Sequence, residues 1–542
     1  MGDIVMHARG DRARTTMMRD ASFRADGVGR PRGRDARAAN VMAARAVADA
    51  VRSTLGPKGL DKMLVDGAGE VSVTNDGATI LRGMDVSDPA ARMVVEAAAT
   101  LERELGDGTT TAVVLAGELL RHAETLADDL HATALAEGFR DAAAVATRAL
   151  EGLAREAPGG REEALRRVAA TAMASKAAAP EATRLADLAV RAVLAVADGR
   201  RADLSHVRLA KLAGRALAAT DLVEGVVLDK ARASEAMPRF VAEARVALVE
   251  GALTAAKPAR AATLRLADPR AHEAFVAEEE TRVARAVSSL ASSGATAIFV
   301  EKRVDDRAID LLARSGILLV AGVGGETLSA LARATGARPV ANPREVGEAD
   351  LGRASLVEEA REGGAPEVLV TGGGGARSVT LRVRGASEES VEEVARTLED
   401  ALGVARTALA DDPIVPGAGA AEAEAARAVR DEAGRLDARR ALVYEAFAAA
   451  LEEIPRALAE NAGRDPLEAV TAVRAAHAAG RRDHGVEVAT GGTFDAWSAG
   501  VVEPLRVKVQ SVATAAEVAT LILRIDDVIA TARREDLTGR SP

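Results

Sequence analysis

The spacing of apolar residues predicts helices near both ends of the chain. Between residues 35 and about 156, apolar positions recur at intervals of three and four, which is the pattern of helices with one buried face. Three glycine-rich turns interrupt this pattern, and a short strand at 71–74 precedes the second of them. The turns are Leu55-Gly56-Pro57-Lys58-Gly59, Asn75-Asp76-Gly77 and Gly106-Asp107-Gly108.

The middle of the chain has a different pattern. Between about 225 and 375, short β-type runs at 226–228, 246–249, 298–300 and 317–320 alternate with helical segments, which indicates an α/β domain. A strand at 379–383 then leads into a long helix from Ser387 to about Leu409, and helices follow to the end. The order predicts a multidomain α + α/β protein in which both chain ends form one domain and another is inserted into it.

Composition narrows the class of protein. A chain of 542 residues predicts three or four domains, and 48% hydrophobic with 28% charged residues is typical of a soluble globular protein. The formal charge of −10 has the wrong sign for bulk attraction to nucleic acid or anionic lipid, and no apolar run is long enough to span a bilayer. We therefore expect neither a nucleic acid nor a membrane partner.

Cysteine and lysine usage adds two constraints. The absence of Cys excludes disulfides, thiolate metal sites and a cysteine nucleophile. The first 34 residues read neither as an export signal nor as a transit peptide, so we expect a cytoplasmic location. Only eight residues are Lys, and Arg replaces Lys less easily where a compact ammonium is needed, so each remaining Lys is a candidate for a specific role.

The turn 106–111, Gly106-Asp107-Gly108-Thr109-Thr110-Thr111, carries the clearest chemical signal. Glycines let backbone amides converge on an anion, and the helix that follows points its positive dipole end at the same place. Three hydroxyls could bond phosphate oxygens, and Asp107 could hold Mg²⁺. The alternative from these six residues alone is an ordinary capped helix N-terminus. The turn at 55–59 lacks the spacing of a Walker P-loop.

Other acidic and basic residues give no signal by themselves. The apolar spacing of the helix from Ser387 places Asp400 beside Glu389 and Glu393, which indicates a solvated acidic face. Asp76 alone is typical of a turn. The seven His residues show no metal-ligand spacing, and no nucleophile-elbow motif occurs.

A resemblance to a known family joins these fragments. The segments 54–66 (TLGPKGLDKMLVD), 73–81 (VTNDGATIL), 106–112 (GDGTTTA) and 501–508 (VVEPLRVK) resemble the signatures of the chaperonins, which are double-ring, ATP-driven folding machines. The segments 171–176 (TAMASK), 225–230 (GVVLDK), 268–280 (DPRAHEAFVAEEE) and 331–336 (LARATG) are similar to the thermosome/CCT branch, called group II.

The resemblance assigns roles by position. It implies that the nucleotide is wrapped by Thr54, Leu55, Gly56 and Pro57, and that Asp107 holds Mg²⁺. Asp76 and Asp400 match the residues that position and activate the attacking water, Lys176 matches a γ-phosphate sensor and Glu503 matches the ribose contact. The remaining nucleotide contacts that it implies are Asn75, Gly108, Thr109, Thr110, Thr111, Gly417 and Ala418.

The chain departs from the family pattern at one turn and in residues 1–33. The family's Pro-Gly-Gly-Gly-Ala turn is here Pro416-Gly417-Ala418-Gly419-Ala420. The middle residue of that turn lies near the adenosine in the family. A methyl group there would crowd the base, or would be impossible if φ is positive. Residues 1–33 also diverge from the family, in the region where family members pair strands between subunits.

The resemblance also implies a domain plan. An equatorial ATPase domain would comprise 1–157 and 412–542, an intermediate hinge domain 158–225 and 378–411, and an apical α/β domain 226–377. A helical protrusion at about 255–288, with an amphipathic helix from Asp268, would serve as a built-in lid, so that no separate co-chaperonin is needed.

The function expected from the resemblance is that of an ATP-dependent chaperone that encloses non-native polypeptide, using ATP and Mg²⁺. Its partners would be unfolded clients and identical or paralogous subunits in a stacked double ring. One alternative is a chaperonin-like interaction subunit that assembles without ATP turnover. Another is a small-molecule kinase or different Mg²⁺-ATPase, which would explain 106–111 but not the remote matches.

Overall fold

The protein is described by a computed structural model that covers 33–67, 69, 71–157, 159–174, 181–254, 269–361, 366–373 and 378–528. For residues 269–277, 279 and 280 only the backbone is described. The residues divide into two compact units. We call them the terminal unit, up to Ala186 and from Glu399 on, and the middle unit, Asp187–Leu398.

The terminal unit is mainly helical. Its helices are Arg34–Arg52, Gly77–Gly83, Pro89–Leu105, Thr109–Leu126, Ala132–Leu153, Arg161–Met173, the start of Ala182–Val196, the second half of Glu388–Ala410, Ala420–Ala433, Ala438–Leu451, Glu453–Asn461, Pro466–Ala478 and Leu505–Leu523. Three antiparallel pairs of short strands complete it: Lys62–Val65 with Val71–Thr74, Ile414–Pro416 with Val502–Pro504, and His484–Val486 with Thr493–Asp495. The predicted strand at 71–74 and the predicted helix end at Leu105 are confirmed.

The core of the terminal unit is built from small aliphatic side chains, as a 2% aromatic content requires. Two of its few aromatic side chains, Phe139 and Phe447, meet with ring centroids 6.0 Å apart. Elsewhere helices approach closely at glycines. A Cβ on Gly117 would lie 2.4 Å from the Cβ of Ala48, so the helices Arg34–Arg52 and Thr109–Leu126 can pack this tightly only without that side chain.

The described residues of the middle unit form a larger sheet, a smaller sheet and one short strand pair. The larger has six strands in the spatial order Leu318–Ala321, Ala297–Val300, Phe240–Val249, Gly352–Ala360, Glu367–Gly373 and Gly225–Leu228. The first three are parallel and the others are antiparallel to their neighbours. The smaller sheet is Val207–Ala213, Val379–Gly385 and Asp221–Val223, and a short pair joins Ala197–Asp198 to Arg201–Ala202. The predicted α/β character is confirmed.

Helices pack beside the larger sheet. They are Pro269–Ser292, Asp306–Arg314 and Gly325–Thr335. The predicted helix from Asp268 is found at Pro269–Ser292, while 255–268 of the expected protrusion lie outside the described residues. Val283, Val287 and Leu290 are buried in the core of this unit. The C-terminal half of that helix is therefore part of the domain core.

Candidate nucleotide site

A cavity of about 470 Å³ lies within the terminal unit. Loops and helix ends that are far apart in the sequence line it. The lining residues are Thr54, Leu55, Gly56, Pro57, Asn75, Asp76, Gly77, Glu102, Gly106, Asp107, Gly108, Thr109, Thr110, Thr111, Thr171, Ala172, Ala174, Asp400, Ala418, Gly419, Ile454, Leu458, Val486, Glu487, Val488, Ala489, Phe494, Val501, Glu503 and Lys508.

One wall of the cavity is a helix N-terminus. The helix Thr109–Leu126 begins after Gly108, which has φ 87°, and no side chain caps its first turn. The amides of that turn and the positive end of the helix dipole are features that bind phosphate oxygens. Asp107 lies in the same turn, where its Oδ1 accepts a hydrogen bond from the amide of Gly108 at 2.6 Å.

Glu102, on the helix Pro89–Leu105, supports this wall. The hydroxyl of Thr109 donates to Glu102 Oε2 at 2.6 Å, and Thr109 is buried. The sequence reading missed Glu102 because a carboxylate in the last turn of an amphipathic helix is indistinguishable from a solvated one. Its hydrogen bond fixes the rotamer of Thr109 at the start of the next helix.

Two glycines bring Asp400 to the same wall. A Cβ on Gly106 would lie 2.6 Å from the Cα of Gly403. The backbone of the helix Glu388–Ala410 therefore contacts the backbone of the turn directly. Asp400 precedes Gly403 by three residues and shares its helix face. Thr407 strengthens the crossing by donating to the carbonyl of Leu105 at 2.9 Å. Asp400 lines the cavity, so the solvated-face interpretation was wrong.

Asp76 begins the helix Gly77–Gly83. Its Oδ2 accepts from the amide of Thr79 at 2.8 Å, which is the geometry of an N-cap. A Cβ on Gly77 would meet the hydroxyl oxygen of Thr110 at 2.2 Å, so only glycine lets this turn approach the helix N-terminus so closely. Asn75 and Asp76 line the cavity as a result, and Asp76 is both a cap and a cavity residue.

The strand Val502–Pro504 places Glu503. It pairs with Ile414–Pro416, with Glu503 opposite Val415. The turn that follows Pro416 contains Gly417, which does not line the cavity but packs against Glu503: a Cβ there would lie 2.9 Å from Oε1. The absence of a side chain at Gly417 thus leaves room for the carboxylate.

Ala418 has a strained backbone. Its φ is 54°, in the left-handed region that an alanine adopts at a cost of roughly 1–2 kcal/mol. Its carbonyl accepts from the amide of Val486 at 2.9 Å, which ties this turn to the strand pair His484–Val486 and Thr493–Asp495. The expectation that a methyl group is impossible here at a positive φ was wrong, because the chain adopts the turn with Ala418 in the left-handed region.

We expect Ala418→Gly to raise the free energy of unfolding by about 0.5–1 kcal/mol, because relief of the left-handed strain exceeds the entropy cost of glycine. Ala420→Gly is a matched control at the first position of the helix Ala420–Ala433. It should lower stability by up to about 1 kcal/mol. Urea unfolding followed by circular dichroism measures both changes. Equal losses in the two variants would contradict the strain at Ala418.

A buried ammonium lies between two carboxylates at the base of the cavity. Lys508 Nζ is 2.7 Å from Glu422 Oε1 and 2.6 Å from Glu503 Oε2. Burial, together with the charges of Glu422 and Asp107, raises the pKa of Glu503 to about 7, while Lys508 acts in the opposite direction. Burial alone would lower the pKa of Lys508, but the two carboxylates raise it above its ordinary value. Lys508 therefore stays protonated and positively charged.

The comparisons with known proteins identify the family. The model of the TCP-1/cpn60 chaperonin family matches residues 47–533. The chain belongs to this family. A thermosome subunit of Methanopyrus kandleri is 48% identical over 92% of this chain and 92% of its own length. Thermosome subunit alpha of Halobacterium salinarum is 46% identical over 94% of this chain and 90% of its own, and a thermosome subunit of Pyrococcus horikoshii is 44% identical over 94% of both.

These relatives place the chain in group II, and the predicted family is confirmed. It is a subunit of an ATP-dependent chaperonin. The kinase alternative on a different fold was wrong, because the family match extends through both units. The alternative of a subunit without ATP turnover is not favoured by relatives that match along nine tenths of the chain.

The structure collects nearly every predicted nucleotide residue of this chaperonin subunit into the one cavity. Lys176 lies outside the described residues, and Gly417 lies behind Glu503. The sequence reading missed the apolar side of the cavity, formed by residues such as Ile454, Leu458 and Phe494. No local signal marks these apolar side chains, since core residues show the same pattern. Lys508 was signalled by the rarity of Lys and by the family-like segment 501–508, but no role was predicted for it.

No helix in the described part of the chain is long and apolar enough to cross a membrane. Among those residues, no group of three or more His, Cys, Asp and Glu side chains is placed to hold a metal ion.

Proposed function

We propose that this chaperonin subunit hydrolyses ATP with Mg²⁺ in the cavity of the terminal unit. The observation that supports this most strongly is convergence: turns at 54–57, 75–77, 106–111 and 417–419 line or border one space with Asp400. Phosphoryl transfer to water needs charge neutralisation and an oriented nucleophile, and little else from the protein.

Each wall has a role in the proposal. The N-terminus of Thr109–Leu126 binds the phosphate oxygens, Asp76 and Asp400 orient and activate water, and Glu503 accepts a hydrogen bond from the ribose. The loop at 54–57 and the residues Asn75 and Ala418 enclose the nucleotide. Lys176 contacts the γ-phosphate, by resemblance alone.

The residues of the cavity suit Mg²⁺ shared with a nucleotide. Mg²⁺ is usually held by one or two carboxylates together with substrate phosphates and water, so a site without three acidic or His ligands is the expected kind. Asp107 would hold the ion, beside the other carboxylates of the cavity, Glu102 and Asp400. The ion, when bound, neutralises charge on the transferred phosphate.

The proposal extends to assembly. The equatorial (1–157, 412–542), intermediate (158–225, 378–411) and apical (226–377) domains would form a subunit of a stacked double ring in the cytoplasm, made with identical or paralogous copies. The ring encloses non-native polypeptide and closes by its own protrusion at about 255–288, without a separate co-chaperonin. Because Val283 and Val287 are buried in the middle unit's core, the moving part would precede them.

We expect the purified protein to sediment as a particle many times heavier than one 55.8 kDa chain and to hydrolyse ATP only with Mg²⁺. Analytical ultracentrifugation at micromolar concentration, with and without nucleotide, measures the first property. Phosphate release with and without a chelator measures the second. Addition of excess Mg²⁺ after chelation should restore turnover.

A single-chain sedimentation coefficient in the presence of nucleotide would contradict the ring. A large particle that binds ATP without hydrolysing it would contradict the turnover and favour the interaction-subunit alternative. Suppressed aggregation of a denatured test protein, dependent on ATP, would support enclosure of clients.

A further inference from the structure

The side chain of Asn461 holds the backbone of the loop at 54–57. Asn461 ends the helix Glu453–Asn461, and its amide nitrogen donates to the carbonyl of Arg52 at 3.0 Å and to that of Leu55 at 2.9 Å. Both hydrogens of the amide are therefore used. The first carbonyl belongs to the last turn of the helix Arg34–Arg52, where backbone acceptors lack partners inside the helix.

The same helix supports this loop at two further places. A Cβ on Gly56 would lie 2.2 Å from Leu458 Cδ2, so the loop backbone lies directly on the helix. The guanidinium of Arg52 pairs with Glu453 and, at 2.6 Å, with Glu460. Of these contacts, only the hydrogen bond from Asn461 to Leu55 fixes a peptide group of the cavity lining.

The peptide between Leu55 and Gly56 is trans, so its carbonyl and its N–H point in opposite directions. Holding the Leu55 carbonyl on Asn461 turns the Gly56 N–H away from that side chain. Within the described part of the chain this N–H donates to no acceptor. Gly56 lines the cavity and has φ 83°, a conformation with several accessible alternatives for glycine. The peptide orientation thus depends on its partner.

We propose that Asn461 is a positioning residue for nucleotide binding: it orients the Leu55–Gly56 peptide so that the Gly56 N–H is presented to the nucleotide in the cavity. This inference rests on the proposed function of the cavity. Asn461 itself does not line the cavity and acts through the loop. Its contribution is to ground-state affinity, because the loop is separate from the proposed water-activating residues Asp76 and Asp400.

The test uses Asn461→Asp, which keeps the shape of the side chain but replaces both donors by an acceptor facing two carbonyls. We expect the Kd for ADP, measured by calorimetry on the assembled protein, to rise about tenfold. The KM for ATP should rise likewise, with kcat at saturating ATP unchanged. The control, Glu460→Gln, removes one ion pair between the same helix and Arg52, and we expect unchanged nucleotide affinity.

An Asn461→Asp protein with the wild-type Kd, or with the same change as Glu460→Gln, would overturn the inference. A fall in kcat without a change in KM would also overturn it. Absence of nucleotide binding by the wild-type protein would instead refute the proposed function. If Asn461→Asp does not fold, hydrogen exchange in the wild type decides: the Gly56 amide should be protected by ADP, and equal exchange with and without ADP would overturn the inference.

Discussion

Replacing Asp400 by Ala is expected to lower ATP turnover at least about a hundredfold while nucleotide binding changes little. The magnitude is that of losing a positioned general base. Asp400 lines the cavity on the helix face that contacts Gly106 through Gly403, and the proposed function gives its carboxylate the activation of water in the turnover step. Removal of a group that acts only in the transition state lowers kcat and leaves ground-state affinity unchanged. Phosphate release and calorimetric ADP titration measure the two quantities.

Two further variants make this result specific. Glu399 immediately precedes Asp400 on the same helix, but it is exposed and does not line the cavity. Glu399→Ala removes the same charge and should keep wild-type turnover. Asp107→Ala should instead weaken nucleotide binding in Mg²⁺ and leave binding in a chelator unchanged. Wild-type turnover in Asp400→Ala would contradict its assignment as a residue that activates the attacking water.

The case of Asp400 shows where local sequence patterns fail. Helix periodicity located the helix to within a residue at each end, at Glu388–Ala410 against the expected 387–409. The same periodicity placed Asp400 on a solvated face, because it describes one helix without its neighbours. The neighbour is the turn at Gly106, some three hundred residues earlier in the chain, and the contact depends on two glycines that leave no hydrophobic signal. Only the family resemblance grouped Asp400 with the turn at 106–111, and both line the cavity.

The turns were predicted more completely than the apolar wall. Glycines with positive φ at 56, 106 and 108 are local requirements of backbone conformation and are visible in the sequence. By contrast, Leu458 and Phe494 line the cavity through tertiary packing, and their spacing matches that of core residues. Asn461 is also invisible locally, because its carbonyl partners lie more than four hundred residues away along the chain.

We expect Lys508→Met to lower the free energy of unfolding by about 3–5 kcal/mol, the usual cost of breaking a buried ion pair by removing one partner. Lys508 and Glu422 are 5% and 2% exposed. The second carboxylate oxygen of Glu422, Oε2, has no hydrogen-bond partner in the described part of the chain, so the variant leaves this carboxylate without its ammonium. Thermal unfolding of the assembled protein should show a midpoint lower by several degrees.

The matched control is Lys211→Met, because Lys211 also lies 2.7 Å from a carboxylate, that of Glu392, but both side chains are substantially exposed. That variant should cost no more than about 1 kcal/mol, since water replaces the partner of an exposed charge. The double variant Lys508→Met, Glu422→Gln should recover part of the loss, because it removes the uncompensated charge along with the cation. Equal losses of unfolding free energy in Lys508→Met and Lys211→Met would show that the buried ion pairs of Lys508 stabilise the protein no more than a surface ion pair does.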